Sequence, residues 1–184
     1  MTLRLWASVS AVVLSALSAN ALAGMIDFDD VPAGPLSDHY RTEGVLFSTV
    51  SYDSAQNVIS LVADHAAVVA DPALAVSVPN VLAAVTSATD LTPSQNAVLL
   101  TFVLPGTDVP AVTDFVAISI DSLTGGSAPA DPRDDLVELF ALGPDGQILG
   151  VDRAFDTESA ELRIQRPVPQ IASAVICLLY TSPS

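Results

Sequence analysis

The chain has 184 residues, enough for one domain with its own core, and carries a formal charge of −15: 21 acidic residues stand against six arginines and no lysine. So acidic a surface repels phosphate backbones and anionic membranes, which argues against nucleic acid as a partner. The single cysteine, Cys177, excludes a disulfide within the chain.

The first stretch reads as an export signal. Arg4 supplies a small positive region, residues 5–17 form a short apolar run, and Ala21-Leu22-Ala23 is a small-residue cleavage site. Cleavage is expected after Ala23, leaving a mature chain one unit more negative. The apolar run is too short for a membrane span, and no later segment approaches the roughly 18 apolar residues that one needs. The mature fragment is therefore expected to have no integral membrane span and to be secreted or held at the cell surface.

Beyond the leader, hydrophobic periodicity favours strands. Residues 45–50 are a β-branched and aromatic run, and 57–62 have strand length and composition. Residues 97–104 are apolar on both faces, which predicts a central, buried strand. Residues 112–121 alternate, with Val116, Ile118 and Ile120 on one face and Phe115, Ala117 and Ser119 on the other. Gly143-Pro144-Asp145-Gly146 is a strong turn signal, so the flanks 135–142 and 147–152 should form a hairpin. Residues 161–164 alternate as a strand with one wet face, and 170–176 supply a last candidate. Residues 71–84 are rich in Ala, Leu and Val, but Pro79 interrupts any helix; a short turn near Pro72 is the most they offer. The stretch 124–134 reads as an exposed loop. Prolines fall between the candidate strands, where they remove no ladder hydrogen bond. Together these signals predict an all-β, antiparallel β-sandwich or barrel.

The opening reads Ile26-Asp27-Phe28-Asp29-Asp30-Val31-Pro32-Ala33-Gly34, then Tyr40, then Glu43-Gly44-Val45-Leu46-Phe47-Ser48. This resembles the start of a jelly-roll module found in bacterial secreted proteins of the PEP-CTERM (exosortase-sorted) type. Pro79-Asn80-Val81-Leu82 is similar to a middle piece of that module, and residues 137–150 to its late hairpin. The resemblance implies a galactose-binding-like jelly roll over residues 24–176, with a first strand ending at Phe28-Asp29, and a last strand and a sorting tail beyond Ile176. The last eight residues, Cys177-Leu178-Leu179-Tyr180-Thr181-Ser182-Pro183-Ser184, resemble translated sequencing-adapter sequence. The expected division is thus 1–23 signal peptide, 24–176 truncated sandwich and 177–184 adapter-derived, with the product aggregation-prone for want of its final strand.

No motif selects a catalytic set. His39 and His65 sit in polar surroundings, and no nucleophile elbow, zinc-protease helix or phosphate loop is present. With 17 Asp, accidental carboxylate pairs are certain and say little. The resemblance implies a structural calcium near the first turn, where Asp29 and Asp30 are the candidate ligands; Asp131, Asp134 and Asp135 make a second, weaker cluster. A sugar needs a flat aromatic partner, and only Tyr40 and Tyr52 are available between the leader and the tail. The expected function is a non-catalytic exported surface or extracellular-matrix module. The alternative is a carbohydrate-binding module with structural calcium, its partner an extracellular polysaccharide or other matrix component; a secreted hydrolase comes third. The calcium expectation has a direct check: titration with calcium should release heat and raise the melting temperature, and a flat titration with an unchanged melt refutes it.

Overall fold

The computed structural model describes residues 26, 28, 31–53, 58–70, 80–89, 94, 96–121, 135–155 and 159–180. Among them the regular elements are eleven strands and one 3-10 turn, Arg41–Glu43. The strands are β1 (Gly34–Pro35), β2 (Val45–Asp53), β3 (Val58–Leu61), β4 (His65–Ala70), β5 (Asn80–Val85) and β6 (Ala97–Phe102). They continue with β7 (Phe115–Asp121), β8 (Asp135–Leu142), β9 (Ile148–Phe155), β10 (Ser159–Gln165) and β11 (Ser173–Tyr180). The protein is an antiparallel β-sandwich. One layer is a six-stranded sheet in the order β3-β2-β6-β11-β8-β9; the other comprises a three-stranded sheet, β1-β4-β5, and a pair, β10-β7.

Alternation decides which side chains enter the core. On β10, Leu162 and Ile164 are buried while Glu161, Arg163 and Gln165 are exposed; on β7, Val116 is buried while Ala117 and Ser119 are exposed. These inward residues meet Val137, Leu139 and Ala141 of β8 and Ala174 of β11 in one cluster. A second cluster joins β2 (Val45, Phe47) to β4 (Ala66, Val68) and β5 (Ala84). Half-buried Leu100 and Phe102 of β6 pack into both. A third cluster, on the other face of the large sheet, gathers Val50, Ala97, Phe140, Leu142, Val175 and Cys177. β8 is thus buried on both faces, in keeping with its Leu-Val-Glu-Leu-Phe-Ala-Leu run, apolar but for Glu138.

The expected hairpin is β8–β9. Gly146 takes φ 80 at the turn, and its N–H donates to the Gly143 carbonyl. β6 lies between β2 and β11, as its two apolar faces demand, although it ends at Phe102 because a turn closed by Leu104 N–H to the Val109 carbonyl begins there. The run 112–121 starts late as a strand, at Phe115; Thr113 instead bridges Ile171. β4 and β5 carry no strong strand signal, since His-Ala-Ala-Val-Val-Ala and Asn-Val-Leu-Ala-Ala-Val are alanine-rich. Packing asks for small residues there: Ala66, Ala67 and Ala84 are all buried. Phe28 sits at φ 63, so the opening does not continue as an extended strand at that residue; its ring packs edge-on against Tyr40 and Phe47. The adapter-like stretch joins the ladder as far as Tyr180, since β11 pairs with β8 all the way to Asp135. The turn near Pro72 and the loop 124–134 lie outside the described residues.

Close approach fixes two glycines. At Gly150 an added Cβ would stand 3.0 Å from Ile164 Cγ2, because β9 is pressed against β10. Gly44, at φ 87, ends the 3-10 turn, and its Cβ would fall 2.7 Å from the Val103 carbonyl oxygen. Gly106 has φ 75, and a Cβ added there would meet no atom within 4 Å. Urea unfolding should therefore find Gly44→Ala costlier than Gly106→Ala: about 2–3 kcal/mol for strain plus collision against about 1 kcal/mol for backbone strain alone. Equal losses would contradict the packing at Val103.

Candidate functional site

Several buried or half-buried polar groups of the described residues hold layers and connections together. Thr49, buried on β2, donates from Oγ1 to the Asp64 carbonyl at 2.6 Å. The Asp64 carboxylate in turn accepts from Asn96 Nδ2, joining the approach to β4 to the approach to β6. Asp152 works at the sandwich margin: one carboxylate oxygen accepts the Arg153 N–H at 2.9 Å and the other the Arg163 N–H at 2.8 Å, tying β9 to β10. Arg166 adds a second tie, Nη1 to the Leu149 carbonyl at 3.1 Å, while its Nε is buried without a hydrogen bond.

Among the described residues the buried charged position is Glu138 on β8, only 4 % exposed. Its cross-strand neighbours are Cys177 on β11 and Arg153 on β9. The Arg153 guanidinium donates from Nε to the Glu138 carboxylate, while half of that arginine remains in water. The other two sides of this row are apolar: Val50 and Ala97 share its cluster with Cys177. Burial pushes the Cys177 thiol up to about 12, and the Glu138 charge adds to that shift. A thiol held protonated this firmly is not a nucleophile near neutrality.

No family model, curated protein or solved structure matches this chain.

The residues singled out in the sequence do not converge. Tyr40 is a core residue, 4 % exposed, with Phe28, Phe47 and His39 around its ring. It is therefore packing and not an open platform for a sugar. Tyr52 lies on β2, opposite Ile59 of β3, and its side chain lies outside the description. Asp29, Asp30, Asp131 and Asp134 lie outside the described residues, and Asp135 begins β8. Among the described residues no group of three or more His, Cys, Asp or Glu is arranged to hold a metal. His39 and His65 are both exposed and stand apart in the fold, His39 in the turn before Arg41–Glu43 and His65 at the start of β4. Glu138 was the residue the sequence hid. Counting outward from Leu142 opposite Ile148 would set it across from Asp152; the bulge between Ala141 and Leu142 shifts the register by one residue and brings Arg153 there instead, which no local pattern announces.

Two expectations follow. Removing Arg153 strands a buried carboxylate, so Arg153→Ala should cost about 2–3 kcal/mol in urea unfolding. Glu138→Leu should cost less, because the freed arginine already reaches water. The reverse order would contradict the burial of Glu138. Cys177, with its raised pKa, favours folding fully below the ordinary thiol range and loses that contribution as pH rises from about 9 toward 12. Cys177→Ala should therefore flatten the fall in melting temperature over that interval. A thiol reagent should label native wild type at pH 8 only as fast as the chain unfolds.

Proposed function

We propose that this chain is a non-catalytic exported module of a bacterial surface or extracellular matrix. The observation that carries this reading is how the buried and half-buried polar groups of the described residues are used. Thr49, Glu138 and the carboxylates of Asp64 and Asp152 are each bonded within the frame, so their chemistry holds strands and layers together. Enzymes instead keep titratable groups poised in a cleft beside a base or an oxyanion donor. The leader-like residues 1–23, the acidity and the resemblance of the opening to exosortase-sorted jelly rolls support an address outside the cytoplasm.

The carbohydrate-binding reading retains Tyr52 as its aromatic, since the Tyr40 ring is enclosed in the core. The two readings separate cleanly by experiment. Expressed with its own leader in a bacterial host, the chain should appear outside the cytoplasm with Gly24 as its new N-terminus, read by mass spectrometry. It should then hydrolyse no member of an ester, glycoside and peptide substrate panel. Cytoplasmic retention with the leader intact, or turnover of any substrate, would refute the proposal. Retention on a polysaccharide column, lost in Tyr52→Ala, would favour the carbohydrate-binding alternative.

A further inference from the structure

Among the described residues the second layer of the sandwich is broken, and one rim of the break has no strand paired to it. β10 lies against β8 and β9, β5 against β6, and β4 against β2. Ordered over the sheet beneath, this layer runs β10, β7, then β5, β4 and β1, so the pair and the triplet face each other across β7 and β5. Beneath the break run Leu100 and Phe102 of β6, half-buried and shared by the clusters on either side.

Backbone direction along β7 shows which groups face the break. Successive residues of a strand present N–H and C=O to alternate sides. The Asp114 carbonyl accepts the Arg166 N–H at 2.7 Å, toward β10. Phe115 is turned the other way: its N–H and C=O both bond to Thr113 Oγ1 instead. Val116, Ile118 and Ile120 therefore serve the β10 ladder, and Ala117, Ser119 and Asp121 present their backbone groups to the break. Among the described residues nothing pairs with that rim. The facing rim is partly closed, since the Ala84 carbonyl accepts the Ser94 N–H at 2.8 Å.

Other edges of this fold are blunted. β3 has only four residues, β1 has two and includes Pro35, and β9 is covered by the Asp152 and Arg166 ties. β7 has none of these devices: it is seven residues long, with Ala117 and Ser119 exposed and no proline, lysine or bulge. A rim whose donors and acceptors meet no partner among the described residues is a template for strand addition.

We propose that the β7 rim accepts an extended peptide segment of another protein, one that carries basic side chains on its outer face. Charge supports the choice of occupant. The chain is at −15 with no lysine, Asp114 is exposed at the start of the rim, and exposed Glu161 stands opposite Ser119. Arg163, opposite Ala117, sets the register: a small neutral side chain belongs beside Ala117 and a basic one beside Ser119. The inner side chains of the added strand would close over Leu100 and Phe102. The inference goes beyond the proposed function and does not depend on export.

The test is fluorescence anisotropy of the purified chain with a labelled eight-residue peptide in which valine alternates with lysine and serine. Wild type should bind it saturably, and the same peptide with glutamate for lysine should not bind. Ser119→Pro removes an N–H that faces the break and not the β10 ladder, so binding should weaken about tenfold while the far-ultraviolet spectrum is kept. Ser119→Lys, which touches no backbone group, should weaken it through charge alone and so covers the case in which the proline variant fails to fold. Equal binding of the glutamate peptide, or no loss in Ser119→Lys, overturns the proposal. So does a wild-type dimer in sedimentation that takes up no peptide and is lost in Ser119→Pro, which would assign the rim to a second copy of this chain.

Discussion

The β8–β11 ladder is the constraint on which the rest of the sandwich depends. Eight residue pairs run from Ser173 opposite Leu142 to Tyr180 opposite Asp135, and both strands have neighbours on their other edges. Phe140 and Val175 face one side, Leu139 and Ala174 the other, and all four are buried. Fully burying a large apolar side chain is worth about 2 kcal/mol, so a two-faced ladder of this kind concentrates stabilisation in the middle of one layer. The remaining elements are arranged around it. β6 and β2 extend the sheet on one side, β9 on the other, and β7–β10 covers the inner face.

That concentration explains why a charged residue can exist in the middle of the sheet. Glu138 occupies the outer face of the ladder, one row from Phe140, and its carboxylate is served by an arginine from the adjacent edge strand. An ion pair of this kind adds little to stability compared with an apolar isostere, but it is costly to leave half-made. It therefore specifies register more than it strengthens the fold: a slip of one residue in the hairpin would carry Glu138 into the inner core and separate it from Arg153. The adjoining thiol follows from the same environment, since a site that disfavours a second negative charge keeps Cys177 protonated.

The sequence disclosed those parts of the fold in which one residue's chemistry forces one conformation. The β8–β9 hairpin was legible because Gly143-Pro144-Asp145-Gly146 admits few backbones, and β10 was legible because Glu161-Leu162-Arg163-Ile164 alternates cleanly. β4 and β5 were hidden because alanine-rich strands owe their place to the space between layers, which only the assembled sandwich defines. Tyr40 could be read as a binding platform or as core. Phe28, turned into a left-handed backbone beneath it, is what makes it core, and no local pattern announces such a turn. Glu138 and Arg153, fifteen residues apart, look like two solvated charges until the hairpin register aligns them.

The margin where β9 meets β10 also has an evolutionary implication. A methyl group at Gly150 would stand 3.0 Å from Ile164 Cγ2, so the isoleucine would have to give by a few tenths of an ångström. A larger residue at 150 fits more easily where the residue at 164 is smaller. In any lineage descended from this chain the two positions should therefore drift together, trading bulk as a couple and seldom changing alone.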